Sequence, residues 1–181
     1  MNPGPETIDQ MVAIGSPHYF MYLGLLSASR GVDFLSTWLA TPSLQLEANP
    51  IAKKLGWRWG MVVNLAVCLV LACWPLPAIM VITTSLLVGA RNFQSAWLMR
   101  TLGETQYRSW IGERLAEANR VVFVFCIIAQ SLLTAAVGAV LIFSSHERLV
   151  PFGIGGGLVA YAAAVTFFSL LSGWRAWRQA G

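Results

Sequence analysis

Charge is scarce in this chain. Only 11% of its 181 residues are Asp, Glu, Lys or Arg, and 56% are hydrophobic, whereas a soluble domain is about one quarter charged. A water-facing globular surface is therefore excluded, and lipid is the expected solvent. Cysteine is also sparse. Cys68, Cys73 and Cys126 all fall in apolar blocks, where thiols behave as small hydrophobes, and their spacing gives neither a disulfide framework nor a metal site. The two histidines, His18 and His146, make an incomplete ligand set, so no metal is expected. No Gly-rich phosphate loop or Ser-His-Asp set is present, and no motif implies a cofactor. The first 17 residues hold no Lys or Arg but carry Glu6 and Asp9. They lack the basic start of a cleaved signal peptide and read as a mature, translocated N-terminus. The net charge of +4 comes from basic residues scattered among the ends of apolar blocks, which excludes the basic stripe of a nucleic-acid binder.

What the chain does have is long apolar blocks. A bilayer core about 30 Å thick needs about 20 apolar residues per helix, and five blocks qualify: Tyr19 to Ala40, Trp57 to Trp74, Ala78 to Leu98, Val121 to Phe143 and Phe152 to Trp174. Pro75 and Pro77 break the second from the third, because proline denies backbone donors. The expectation is an all-α, polytopic membrane helix bundle of about five transmembrane helices, with residues 1–181 forming a single membrane domain.

Basic residues orient the bundle. Lys53, Lys54, Arg58, Arg100, Arg108, Arg114, Arg120, Arg175 and Arg178 fall on one side and only Arg148 on the other. Short Lys/Arg-rich loops stay in the cytoplasm. The chain is thus expected in a bacterial or archaeal plasma membrane with its N-terminus outside and its C-terminus inside. Tryptophans cluster at span ends, as amphipathic rings do at the interface. Between the third and fourth spans, Tyr107, Trp110, Ile111, Leu115 and Ala118 recur at helical spacing opposite Glu104, Arg108 and Glu117. This predicts an interfacial helix over about 103–118, acting as a docked connector or as a lid. Ser131, Ala135 and Ala139 in the fourth span, and Gly153, Gly156, Gly157, Ala160 and Ala164 in the fifth, form small-residue stripes suited to helix packing or to a homo-oligomer interface.

Two signatures recur. Asp33-Phe34-Leu35-Ser36-Thr37-Trp38-Leu39 resembles Asn92-Phe93-Gln94-Ser95-Ala96-Trp97-Leu98, and Glu47-Ala48-Asn49 is echoed by Glu117-Ala118-Asn119. Either chance or duplication explains them. Duplication implies a parallel repeat of a helical hairpin plus one extra helix, an arrangement that tends to place a site at the repeat interface.

Helix rise places Asp33, Asn64, Arg91, Gln130 and Thr166 at a common depth, roughly 3 to 5 Å to the cytoplasmic side of the midplane. Ionised groups there cost at least about 2.5 to 3.5 kcal/mol each and are expected to face inward and find partners. For Asp33 the candidates are Arg30, one turn away, and Arg91 across the bundle. Ser29, Arg30, Asp33, Ser36 and Thr37 form a polar stripe on the first span leading to Glu47 at the inner mouth. The candidate ligand-binding residues are therefore Asp33, Arg91, Arg30, Asn64, Asn92, Gln130, Thr37 and Glu47. Asn49 with Pro50 reads as a helix cap and first helical residue.

The stretch Asp33-x3-Thr37 followed by Glu47-Ala48-Asn49-Pro50 resembles the signature of a widespread family of uncharacterised small polytopic membrane proteins of bacteria and archaea. The resemblance covers residues 30–98. It implies a helical-hairpin membrane domain with Asp33, Thr37, Glu47, Asn49 and Pro50 at the matching positions, and it carries no activity. The longer connector and the fifth span depart from it.

Three functional readings follow. The first is binding or translocation of a small polar or ionic solute at the intramembrane polar site. The second is a membrane enzyme acting on a lipid headgroup at the inner leaflet, with Glu47 or Asp33 as acid or base, although no nucleophile is evident. In the third, an accessory or assembly subunit of a larger membrane complex, the polar layer only clamps the helices.

Overall fold

The computed structural model describes residues 10–145 and 148–180. The protein is an all-α membrane helix bundle, with six helices and no strand among the described residues. Local chemistry sets most of the boundaries. Helix α1 (Pro17–Ala40) begins where the Ser16 hydroxyl accepts the Tyr19 N–H, and α2 (Pro50–Leu71) where the Asn49 side chain accepts the Ile51 N–H, each with proline in the first turn. Inside α2, Gly56 adopts φ 66° and ψ −173°, a conformation that favours glycine. The helix is kinked there, one residue before the span start expected at Trp57. Helix α3 (Pro75–Leu102) follows the proline break. Gly103, at φ 77°, turns the chain into α4 (Glu104–Glu117), which lies within the predicted interfacial segment. Asn119 caps α5 (Arg120–Ser144), and α6 (Leu149–Ala180) completes the chain. Helices α3 and α6 overrun their predicted spans because helical hydrogen bonding continues past the apolar stretch.

Helices α2, α3, α5 and α6 are long and apolar enough to cross a membrane. Helix α1 is not apolar enough, because of its polar stripe, yet its 24 residues span about 36 Å. It turns Ser29 and Ser36 into the bundle and exposes Phe20, Met21, Leu25, Leu35 and Trp38. A lipid-facing apolar side with inward polar groups is what a fifth span requires.

The helices pack side by side in the order α2, α1, α3, α6, α5. Helix α3 packs extensively on α1 and on α6, and α6 on α5; α2 touches α1 and α3 only sparsely, and α5 packs on α6 alone. Close approaches explain the tight pairs. A β-carbon on Gly89 would meet the Val32 side chain at 2.8 Å, and one on Gly138 would meet the Gly155 carbonyl oxygen at 2.7 Å. The Gly138–Gly155 crossing lies outside the predicted stripes. Of those stripes, Gly153, Gly156 and Gly157 close onto Ile79, Met80 and Thr83 of α3, whereas Ala160 is exposed.

Tyr19, Tyr22, Leu26, Cys68, Ala72, Cys73, Ala78, Ile79 and Leu149 form the apolar core at the end bearing the α2–α3 turn. At the other end α4 lies as a strap. The Glu104 carboxylate accepts hydrogen bonds from the Thr41 hydroxyl (3.0 Å), the Ser43 N–H (2.9 Å) and hydroxyl, and the Gln45 N–H (3.2 Å). The other end of α4 is held where the Trp177 indole donates to the Leu115 carbonyl at 2.9 Å. Tyr107, Ile111 and Leu115 are half-buried on its apolar face, while Trp110 is exposed.

The repeated signatures share local geometry. Ser36 donates to the Asp33 carbonyl as Ser95 does to that of Asn92, and Asn49 and Asn119 both cap helices. The hairpins themselves are not packed alike, since α1 touches α2 but α3 does not touch α5.

Candidate functional site

Arg30 ties three helices together. Its Nη1 donates to Asp33 on its own helix at 2.8 Å and to Ser85 of α3 at 3.2 Å. Its Nε and Nη2 both donate to the Asn64 amide oxygen of α2, the former at 2.7 Å. Asn64 in turn donates to the Gly60 carbonyl of its own helix. The pair is largely enclosed, with side-chain exposures of 27% for Arg30 and 17% for Asp33. Charge-assisted hydrogen bonds of this kind are roughly twice as strong as neutral ones. The cluster is electrically balanced and ties the sparsely packed α2 to the rest of the bundle.

One turn further toward α4, the Asn92 amide donates to the hydroxyls of Ser36 and Thr37, each at 3.2 Å. Thr37 and Asn92 therefore join α1 to α3. Glu47 lies near enough to Asp33 for their charges to repel, while its own carboxylate accepts the Asn49 N–H at 2.8 Å. The direct bond of Glu47 is thus a turn contact, not a bond to the polar stripe of α1.

Arg91 belongs to a different place. It does not pair with Asp33; its Nη2 donates to Ser169 of α6 at 3.2 Å. The reason is angular. Successive helical residues project about 100° apart, so with Ser85 and Asn92 facing α1, neighbouring Arg91 must turn away toward α6. The residues expected at one depth are thus separated into two places, one on the α1 side of α3 and one on its α6 side. Gln130 joins the second and is exposed on α5, while the Thr166 hydroxyl bonds back to the Ala162 carbonyl of its own helix.

The second site is an open groove of about 570 Å³ lined by Leu87, Ala90, Arg91, Gln94, Gln130 and Tyr161. Helix α6 forms its floor and α3 and α5, which do not touch, its walls. The described carboxylates are all engaged elsewhere: Asp33 on Arg30, Glu47 on Asn49, Glu104 on the 41–45 loop, Glu113 on Ser109 and Glu117 on Arg114. Arg91 has no carboxylate partner among the described residues. An arginine without a charge partner on a membrane helix is costly wherever it stays within the hydrocarbon.

Gln94 gives a retrievable sequence signal, three residues from Arg91 on the same helical face. Tyr161 and Ser169 give none, since both sit in an apolar helix. The Glu104 latch was equally hidden. Partial desolvation pushes the Glu104 carboxyl up, but its hydrogen bonds from Ser43, Thr41 and Gln45 outweigh this and hold it below the ordinary value. Burial pushes the Tyr107 phenol up. Among the described residues no three His, Cys, Asp or Glu side chains gather as a metal site; His146 lies outside them.

Family models, curated proteins and solved structures all return no match to this chain.

Proposed function

We propose that the protein binds a small anionic group within the membrane, in the α3–α5 groove, with Arg91 as its anchor and Gln94, Gln130, Tyr161 and Ser169 around it. The observation that carries this reading is the contrast between two intramembrane arginines. Arg30 is neutralised by Asp33 and satisfied by Asn64 and Ser85, whereas Arg91 has a single hydroxyl for a partner and an open polar groove beside it. An uncompensated charge at that depth is a functional feature by default. The Arg30–Asp33–Asn64–Ser85 cluster is the clamp that fixes helix register, a role polar residues take between membrane helices. In the orientation set by the basic residues, the α4 end faces the cytoplasm and the groove opens in the inner half of the bilayer.

The test is thermal unfolding of purified protein across a panel of small anions and anionic lipids. Arg91→Gln should keep the fold and lose the stabilisation that wild type shows. If no anion stabilises wild type, the reading is wrong.

A further inference from the structure

We infer that the occupant of the Arg91 groove is the phosphate headgroup of an anionic amphiphile that enters sideways from the leaflet on the α4 side. This rests on the binding role proposed above and names its ligand class.

The access route argues for an amphiphile. Helix α4 connects the end of α3 to the start of α5, so its chain crosses the gap beneath the groove. Its 14 residues reach about 21 Å, and it is fastened at Glu104 to the 41–45 loop and at Leu115 to Trp177 of α6. Between α3 and α5 there is no packing, so the open direction is the lipid.

Depth and polarity agree. Ser169 lies six residues beyond the centre of the predicted span 152–174, so it sits about 9 Å from the midplane. Its bond from Arg91 draws the guanidinium to that level, about 6 Å short of the edge of a 30 Å hydrocarbon core. Arginine side chains reach toward the interface in this way. Leu87, one turn from Arg91 toward the midplane, and Ala90 supply the apolar part of the lining, and Gln94, Gln130 and Tyr161 the polar part. The groove therefore offers a cation toward the interface in a cleft that opens sideways between α3 and α5, where a headgroup can meet Arg91 while its tail stays in the surrounding lipid. Guanidinium suits phosphate because its planar fork matches the phosphate oxygens.

The experiment measures binding to protein in neutral detergent by native mass spectrometry and thermal shift. The probes are dioleoylphosphatidylglycerol, dioleoylphosphatidylcholine and inorganic phosphate. Wild type should prefer phosphatidylglycerol. Arg91→Gln should bind it about ten-fold more weakly, as expected for loss of a charge-assisted pair. Arg91→Lys should fall between, and Arg120→Gln, at the start of α5, should match wild type. Gln130→Leu, on an exposed position, should also weaken binding and keeps the test decisive if Arg91→Gln fails to fold. Equal stabilisation by inorganic phosphate through Arg91 overturns lipid entry and leaves the anion site standing. Undiminished phosphatidylglycerol binding by Arg91→Gln and Gln130→Leu overturns it in favour of lipid bound elsewhere on the bundle. No binding of any probe removes both readings.

Discussion

The Arg30 guanidinium donates to the Asn64 amide oxygen from both Nε and Nη2, and this junction joins α2 to a bundle it otherwise touches sparsely. A helix packed so lightly depends on its polar contacts to hold position, since lipid gives no hydrophobic drive for helices to associate. Asn64→Leu should therefore loosen α2 without disturbing the α1–α3 pair. The expected cost is about 1.5 to 3 kcal/mol, the range for a hydrogen bond to a charged group. Cysteine crosslinking between α2 and α1, together with unfolding in mixed micelles, measures both effects. An unchanged crosslinking pattern would show that α2 is held by other means.

Asp33→Asn removes the charge that balances Arg30. Breaking a buried ion pair by removing one partner costs about 3 to 5 kcal/mol, and the residual exposure of this pair places the expected loss near 3 kcal/mol. The loss should appear equally with and without ligand, as a clamp requires. A variant of normal stability that fails to bind anions would instead make Asp33 part of the site.

Gly138→Ala should separate α5 from α6. Its new β-carbon would lie 2.7 Å from the Gly155 carbonyl oxygen, and α5 has no other helix to rest on. A cost of about 1 to 3 kcal/mol follows from overpacking. Gly24→Ala, at a position with nothing within 4 Å, should be neutral or stabilising by about 0.5 to 1 kcal/mol through helix propensity. Paired thermal unfolding curves check the contrast, and equal effects would remove close packing as the cause.

Glu104 makes the α4 latch pH-dependent. Its folded pKa lies below the ordinary 4.5, so its contribution is fully present above the unfolded value and is lost as pH falls through the folded one. The latch should hold at neutral pH and release only in the acid range, below the ordinary carboxylate value of 4.5. Hydrogen exchange at the Ser43 and Gln45 amides reports it, and Glu104→Gln should raise that exchange at neutral pH. Exchange that is low and identical in both proteins would show that the carboxylate does not hold the loop.

The helices were legible in the sequence because bilayer thickness imposes their length and prolines and an Asn cap mark their ends, as at Pro75 and Asn49, whereas the Asn119 cap emerged only in the structure. The Arg30–Asp33 contact was legible too, being one helical turn. Depth along a helix can be counted from the sequence, but direction around it depends on which neighbour each face meets. Arg91 and Asp33 therefore shared a predicted depth and separated in the structure. The Gly138–Gly155 crossing and the Glu104 latch were hidden for a similar reason. Each depends on partners 17 and about 60 residues away in sequence, with no periodicity linking them.

Arg91 is the residue on which the account turns. The most direct measurement is the thermal shift produced by phosphatidylglycerol on wild type, Arg91→Gln and Asn64→Leu side by side. If Arg91 anchors the ligand, Arg91→Gln keeps its ligand-free midpoint and loses the shift, while Asn64→Leu unfolds earlier and keeps the shift. The reverse pattern, with Arg91→Gln destabilised and its shift intact, would contradict it by making Arg91 a structural residue.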